Sequence, residues 1–348
     1  METAPEFSVI IVNFNGGAFL QGAIDSLKVQ TYRNFEVIVI DNASSDGSAQ
    51  AVDGAGLPSF KLMIEEENHG FSRGNNLAAA EANGRWIAML NPDAEAEKDW
   101  LAEVRRGIEA YPNARVFTSA QYALGKPEIM DGAGDAYFGF GIPWRGGFGH
   151  AAGNMPGADG LCFSACGAGA IYEASVFNEM GGFDERFFCY CEDVDLGFRL
   201  QLMGHDCVFL HKAVVRHAGS AIAGYQSAFS LFHGTRNRVW AYAKNMPAPV
   251  FWLTLPGHTY LSLYLLLRAS FTPRFTPMAK GLLAGLQGAA SMRRQGRWRV
   301  ARRTASLVQL LGRMSWQPAT LSGRKVQVRP ITATLEDRQI SIPEMIQP

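Results

Sequence analysis

The chain has 348 residues, 47% of them hydrophobic, and its 32 acidic and 32 basic side chains cancel to a formal net charge of zero. That length allows one large core with an appendage, or two domains. The balance of charge excludes recruitment of nucleic acid by a global field, so no nucleic-acid partner is expected and any attraction must come from a local cluster. Five cysteines, Cys162, Cys166, Cys189, Cys191 and Cys207, form no pair of CxxC units at zinc spacing, and no signal peptide is read ahead of them. A reducing cytoplasm is the expected setting. Cys189 and Cys191, two apart beside an acidic motif, read as small packing residues or as a redox pair.

In chain order, the first hundred residues alternate short apolar runs with stretches of helical spacing. Strands are predicted over residues 7–14 (FSVIIVNF), 35–41 (FEVIVID), 60–64 (FKLMI) and 85–91 (RWIAMLN), with helices over 18–30, 48–53 and 71–83 between them. Such alternation predicts right-handed βαβ units and a largely parallel sheet. The runs VIIV and VIVI leave no polar face, as strands covered on both sides require. Asn13, Asn15, Asp41, Asn42, Asn68, Asn91 and Asp93 all follow the carboxyl ends of these strands. In an open α/β sheet ligands bind at that edge. Asn and Asp also end strands simply by starting turns, yet four strand ends in succession favour one shared crevice.

From 116 to 160 the sequence is loop-like, rich in Gly, Phe and Trp, with WRGGFGH at 144–150. An acceptor contact or lid accounts for it as well as ordinary packing does. Further strands are predicted over 167–172 and 206–216, around a helix over 192–203 stopped by Gly204. Residues 247–267 are apolar, without formal charge and long enough to reach across a bilayer. Pro256, Gly257 and His258 interrupt them, which fits an interfacial or buried hairpin at least as well as a span. Next come Arg293, Arg294, Arg297, Arg299, Arg302 and Arg303, then Leu307, Leu310 and Leu311. This is an amphipathic helix suited to anionic lipid, or a solvated helix face. The end of the chain carries charges and prolines without periodicity and is expected to be a loose tail.

Several stretches carry chemistry. DNASSDGS (41–48) joins a strand end to a helix start, where free N–H groups can meet phosphate or ribose and Asp41 can accept from base or sugar. NFNGG stands after the first strand, where a dinucleotide dehydrogenase would carry GxGxxG. In NHGFSRGNN (68–76), Arg73 can offset diphosphate charge, and Gly70 and Gly74 permit close backbone approach; a polar helix start is the alternative. MLNPDA (89–94) delivers Asp93 after a proline turn beside the Asn91 amide, which suits a hard cation whose shell diphosphate oxygens and waters complete. In residues 181–205, Glu192, Asp193 and Asp195 crowd a helix start. The macrodipole and Arg199 account for Asp195. Glu192 beside Asp193, preceded by Phe187, Phe188 and Tyr190, instead suits carboxyls of raised proton affinity and a general base. His217, just after a strand, is a structural histidine or a metal ligand.

VIIVNFN, VIVIDNASSDGS, NHGFSRGNN, MLNPDA, GGFDERFF, EDVDLGFRL and VVRHAGS together resemble, in order, the family 2 inverting glycosyltransferases of GT-A fold, and within them the rhamnosyltransferase-like branch. The resemblance spans about residues 7–220. It implies an α/β fold of GT-A type, a Rossmann-like and mostly parallel sheet, with a catalytic domain over 1–222; beyond it, the apolar and arginine-rich stretches read as a helical membrane-associating extension over 223–318, and the tail is set at 319–348. It implies that Asn13 and Asp41 lie against the nucleotide; with them Asn15, Asn42, Asn68, Gly70, Arg73, Asn75, Asn91 and Asp93, in the same motifs, are the candidates to line the nucleotide diphosphate sugar. Asp93, last of the family's DxD positions, would hold Mg2+ or Mn2+ with His217, and Asp193, with Glu192 beside it, would deprotonate the acceptor. Asn91 stands where many relatives have the first Asp, although NPD is usual in the rhamnosyl branch. Gln295 to Trp298 reads QGRW, one residue short of the QxxRW of processive synthases, so transfer of a single sugar is expected. A glycan or lipid-linked acceptor at the cytoplasmic face of the cell membrane follows, with peripheral contact through 247–311. Two other classes stay in view. One is a non-catalytic nucleotide-sugar-binding or scaffolding protein at the membrane, which has no need of an ED pair. The other is a nucleotidyltransferase, which would carry a lysine-bearing phosphate loop near the first strand.

Overall fold

The runs without a polar face become central strands. In the computed structural model, which describes residues 4–219, 222, 224 and 226–331 and only the main chain of Trp298 and Arg299, seven elements alternate as expected. They are β1 (Phe7–Asn13), α1 (Ala18–Lys28), β2 (Phe35–Asp41), α2 (Ser48–Ala51), β3 (Phe60–Ile64), α3 (Gly70–Ala80) and β4 (Trp86–Met89). Every residue of β1 and β2 is buried, because helices cover both faces of the sheet. β1 lies parallel to β2 and to β4, and β2 to β3. The register sets Asn13 opposite Asp41, so the last side chains of two neighbouring strands meet at one edge.

After β5 (Ala94–Ala96) and α4 (Trp100–Ala110) the sheet turns mixed. Here the loop-like reading of 116–160 is corrected. The stretch forms β6 (Val116–Ala123), β7 (Lys126–Ala133), β8 (Asp135–Phe138), β9 (Ile142–Arg145) and β10 (Gly160–Cys162). Glycines of positive φ at 125, 134, 141, 147 and 149 punctuate it, so no alternating pattern runs far enough to be seen, and strand pairing supplies what local propensity does not. β11 (Ala170–Glu173), α5 (Ala174–Glu179), α6 (Glu192–Leu202) and β12 (Cys207–His217) follow. The strand order is β3-β2-β1-β4-β11-β6-β12-β10, with β5 antiparallel to β12 and β7 to β6.

The last third contains α7 (Ala228–Asn245), α8 (Ala248–Arg268), α9 (Phe275–Ala301), α10 (Leu307–Arg313), α11 (Pro318–Ser322) and the two-residue β13 (Arg329–Pro330). The hairpin expected within 247–267 does not form; α8 runs straight through Pro256. Pro256 is exposed, and it withdraws only the main-chain bond to the carbonyl of the equally exposed Trp252. Gly257 and His258 are packing residues rather than a turn. A Cβ on Gly257 would meet the Phe140 ring at 2.6 Å, and His258 stacks on Tyr242 with ring centroids 4.1 Å apart.

The arginine cluster and the leucines beyond it do not share one helix, since Leu307, Leu310 and Leu311 belong to α10. Nor is Arg293 lipid-facing: it lies over the Phe251 ring at 3.7 Å and donates to the Ala243 and Met246 carbonyls. The Arg299 side chain is outside the described residues. The tail expected from 319 is likewise corrected as far as 330. α11 and β13 belong to the fold, β13 pairs with β10, and Trp144 donates to the Lys325 carbonyl at 3.0 Å. Residues 332–348 lie outside the described residues.

α7 anchors the acidic helix. The buried Asp195 accepts from Arg199 at 2.8 Å, Lys244 at 2.8 Å and Asn245 at 2.7 Å, and Lys244 also reaches Asp184 at 2.6 Å. α9 packs so close behind that a Cβ on Gly296 would lie 1.9 Å from the Lys244 carbonyl oxygen. Lys244→Met leaves the buried Asp195 and the partly buried Asp184 short of a cation and is expected to cost about 3 kcal/mol in urea unfolding. A loss below about 1 kcal/mol would mean that Arg199 and Arg186 neutralise them unaided.

Candidate active site

Three groups of side chains converge on the carboxyl edge of the sheet. The first begins at the Asn13–Asp41 pair, both buried. Asn13 Nδ2 donates to Asp41 Oδ1 at 2.6 Å and to Ser48 Oγ at 2.9 Å, while Ser44 bonds the same carboxylate through N (2.9 Å) and Oγ (2.6 Å). Asn13 Oδ1 is buried with no partner. Asn15, at φ 54°, accepts from the Ser45 N–H at 2.8 Å. Asn42 donates to the Gly70 carbonyl at 3.0 Å, and Asn68 accepts from the Gly70 N–H at 2.8 Å. Gly70 has φ 74°, and a Cβ there would lie 2.6 Å from Phe188, so only glycine lets the chain pass. Arg73 is half-exposed, 4.0 Å from Glu185. Asn75 is buried and donates to the Phe71 carbonyl at 2.9 Å within α3.

The second group gathers on the loop after β4 and the end of β12. Asp93 Oδ1 and Asn91 Nδ2 each lie 3.2 Å from His217 Nε2, and His217 Nδ1 lies 2.8 Å from Asp131 Oδ2. Asp131 also pairs with Arg145. Burial lowers the proton affinity of His217, but the bonds to Asp131 and Asp93 outweigh it and raise its pKa to about 8. The donor set fits a divalent ion. Asp131 accepts from the Nδ1–H and so turns Nε2 toward Asp93, and Asn91 Oδ1 is buried without a partner. Among the described residues no three His, Cys, Asp or Glu side chains form a closed metal cage. Asp93 and His217 therefore suit a hard cation that keeps positions for diphosphate oxygens and water.

The third group opens α6. Asp193 is half-buried and accepts from the Gly167 N–H at 3.1 Å and from its own neighbour Val194 N–H at 2.8 Å. Burial raises its pKa against those two donors. Glu192 is 4% exposed, its Oε2 has no partner, and burial followed by the charge of Asp193 pushes it well above the usual carboxylate range. Asp135 is pushed up in the same way. Of these crowded carboxyls Asp193, with two backbone donors, is the one suited to carry the negative charge, and Glu192 and Asp135 are suited to hold protons.

The second and third groups lie near enough to act electrostatically on common side chains. Arg145, which pairs with Asp131, lowers the proton affinity of Asp193 and Asp135 by its charge. On the other side, burial raises the proton affinity of the Tyr190 phenol, and the neighbouring Cys189, Glu192 and Asp93 add to it. Asp93 and Glu192 thus act on a single side chain, although they are far apart in sequence. The sequence reading missed Asp131, Asp135 and Arg145, which sit in the stretch taken for loop. Two acids inside the apolar run MDGAGDAYF (130–138) were the available signal.

Residues 8–180, about half the chain, match the family described as "Glycosyl transferase family 2". The chain is 26% identical over 297 residues to an N-acetylglucosaminyl-diphospho-decaprenol L-rhamnosyltransferase of Mycobacterium tuberculosis, across 75% of this chain and 93% of that protein. Among solved structures, a mannosyltransferase from Pyrobaculum calidifontis in complex with GDP-Man and Mn2+ aligns with TM-score 0.53 at 19% identity, covering 86% of both chains. The S. aureus TarS 1-349 complex with UDP-GlcNAc aligns with TM-score 0.51 at 16% identity, covering 85% of this chain and 90% of that one. The chain belongs to glycosyltransferase family 2, with the GT-A fold. It is an enzyme that transfers sugar from a nucleotide-sugar donor.

Proposed function

We propose that the chain moves a single rhamnosyl or other hexosyl residue, with inversion, from a nucleoside diphosphate donor to a hydroxyl of a lipid-linked glycan. The observation that carries this reading is the paired run Asp93–His217–Asp131–Arg145, whose arginine charge also lowers the proton affinity of the proposed base Asp193. The edge formed by Asn13, Asp41 and Asn42 suits the nucleoside, and Gly70 and Arg73 suit the diphosphate. Asp93 and His217, with Asn91 alongside, would hold a divalent ion, which would supply positive charge to the departing diphosphate.

Asp193 takes the acceptor hydroxyl proton as that oxygen bonds to the anomeric carbon. The bond from that carbon to the diphosphate oxygen breaks on the opposite face, its electron pair leaves with the nucleoside diphosphate, and no covalent enzyme intermediate forms. A lipid diphosphate-linked acceptor is favoured by the name of the mycobacterial relative and by α8. That helix has a mean hydropathy of 1.3 over its most apolar window, of which 28% is buried. Trp252, Leu253, Tyr260 and Leu267 are exposed along it, with Arg268, Arg274 and Lys280 nearby. Apolar side chains flanked by cations suit peripheral contact with an anionic cytoplasmic leaflet. A purely binding or scaffolding role has no use for Glu192 buried beside Asp193, at the desolvation cost that entails.

The deciding experiment incubates the full chain with a panel of nucleotide sugars, Mn2+ and a polyprenyl diphosphate-linked N-acetylhexosamine, and follows glycolipid product and nucleoside diphosphate release. Donor binding without product from any member of the panel would favour the binding role. Two further outcomes are expected. Metal and proton compete for His217 Nε2, so Mn2+ affinity, read by EPR, rises about tenfold per pH unit up to about 8 and levels off above it. Affinity independent of pH would remove His217 from the metal. Trp252→Asp with Leu253→Glu is expected to cut co-sedimentation with phosphatidylglycerol vesicles at least about tenfold; equal sedimentation of both proteins would take α8 off the bilayer.

A further inference from the structure

The turn that leads into Glu192 and Asp193 is held in a conformation its own residues disfavour. Phe188, Tyr190 and Cys191 have φ of 64°, 72° and 64°, in the left-handed region that residues with bulky side chains rarely enter. Conformations of that kind persist only where the surroundings over-determine them. None of these residues is glycine, so the local sequence does not supply the shape.

The surroundings that supply it lie on α7, beyond the part of the chain that matches the family. Asn237 has no exposed surface. Its Nδ2 is 2.8 Å from the Phe187 carbonyl oxygen, 2.9 Å from that of Cys189 and 2.7 Å from that of Tyr190. Two N–H bonds are therefore shared among three acceptors drawn inward by the turn. Arg236 Nε donates to Asn237 Oδ1 at 2.8 Å, which fixes the end of the amide that faces the turn. Arg236 Nη2 adds bonds to the Phe187 carbonyl at 2.9 Å and the Arg186 carbonyl at 3.2 Å, and its guanidinium rests over the Trp240 ring at 4.3 Å. Buried carbonyls need such donors, and no apolar residue at 237 would provide them.

The far side of the same turn touches the donor loop. The Phe188 carbonyl accepts from the Ser72 N–H at 3.0 Å, and Phe188 is the residue that a side chain at 70 would strike. One short turn thus separates the residues proposed for the diphosphate from those proposed for proton transfer, and Asn237 grips it from behind.

We propose that Asn237 is a positioning residue for sugar transfer: it locks the Phe187–Cys191 turn against α7 and so sets Asp193 relative to the donor, while Arg236 keeps its amide in the donating orientation. This rests on the reading of Asp193 as the base. Three variants of the full chain, Asn237→Ala, Arg236→Ala and Asp193→Asn, separate the two ideas. Donor-site integrity is read by calorimetry with UDP, GDP and dTDP as probes, and turnover by nucleoside diphosphate release. Displacement of a reacting group by about 1 Å can cost on the order of 100-fold. Asn237→Ala is therefore expected to lower kcat about 30-fold to 100-fold, to shift the acidic limb of the pH–kcat profile, and to leave nucleoside diphosphate affinity within about threefold. Arg236→Ala is expected to show the same pattern, smaller, at about fivefold.

Unchanged kcat in Asn237→Ala beside an inactive Asp193→Asn would overturn the positioning role and leave the base intact. Equal losses of nucleoside diphosphate affinity and of kcat would also overturn it, since they would report general loosening of the fold. Should Asn237→Ala fail to fold, Arg236→Ala decides, because Arg236 is only half-buried: a folded variant with the kcat of the parent sinks the proposal. Full activity in Asp193→Asn would instead reject the base reading, whatever Asn237→Ala does.

Discussion

Replacing Asp193 by Asn is expected to lower kcat by about 10²-fold to 10⁴-fold, the range a positioned general base contributes, with nucleoside diphosphate affinity almost unchanged. The amide keeps the shape but cannot take a proton. It also cannot accept at both ends, whereas Asp193 accepts from Val194 N–H at one oxygen and Gly167 N–H at the other. One of those N–H groups then faces an NH2, at a cost of about 1–3 kcal/mol in stability. The kinetic loss should be far larger than that stability change implies for a chain that remains folded, and it should appear in kcat rather than in donor binding. Activity within about threefold of the parent would move the base elsewhere, with Glu192 and Asp135 the neighbouring carboxyls to test next.

Removing the Asp93 carboxylate as Asp93→Ala is expected to lower kcat/KM about 10³-fold and to abolish tight Mn2+ binding measured by EPR. His217 would keep Asp131 but lose the second carboxylate that raises its pKa, so its titration should move below about 8. That shift, followed by the imidazole proton resonances in NMR, reports the Asp93–His217 contact independently of turnover. Full activity with excess chelator, in parent and variant alike, would exclude the cation reading while leaving Asp193 untouched.

The parts of the fold that could be read from the sequence are those whose burial is apolar. β1, β2 and β4 announce themselves because every position is covered, and the polar residues that stop them fall at the ligand edge. Asn13 and Asp41 are seen to meet only when the strands are set in register, yet their places at strand ends already implied a common site. α7 gave no such signal. Its buried face includes Thr235, Asn237, Arg238, Lys244 and Asn245, so a search for apolar periodicity passes over the helix that holds the acidic motif. Asp131 escaped for a different reason. Its partner His217 lies 86 positions later, and nothing local distinguishes a carboxylate that fixes an imidazole from one that ends a strand.

The apolar helix α8 is fastened at both ends. Before it, α7 is clamped to Asp195; after it, Ser315 N–H bonds the Tyr137 carbonyl at 2.9 Å and β13 joins the sheet at β10. A catalytic head on a flexible stalk could sample many heights above whatever α8 rests on. A segment pinned at two points cannot, so if α8 rests on a membrane as proposed, the fold would set the distance from that membrane to Asp93 and Asp193. The enzyme would then act as a ruler, serving acceptor hydroxyls at one distance from their anchor and passing over shorter and longer ones.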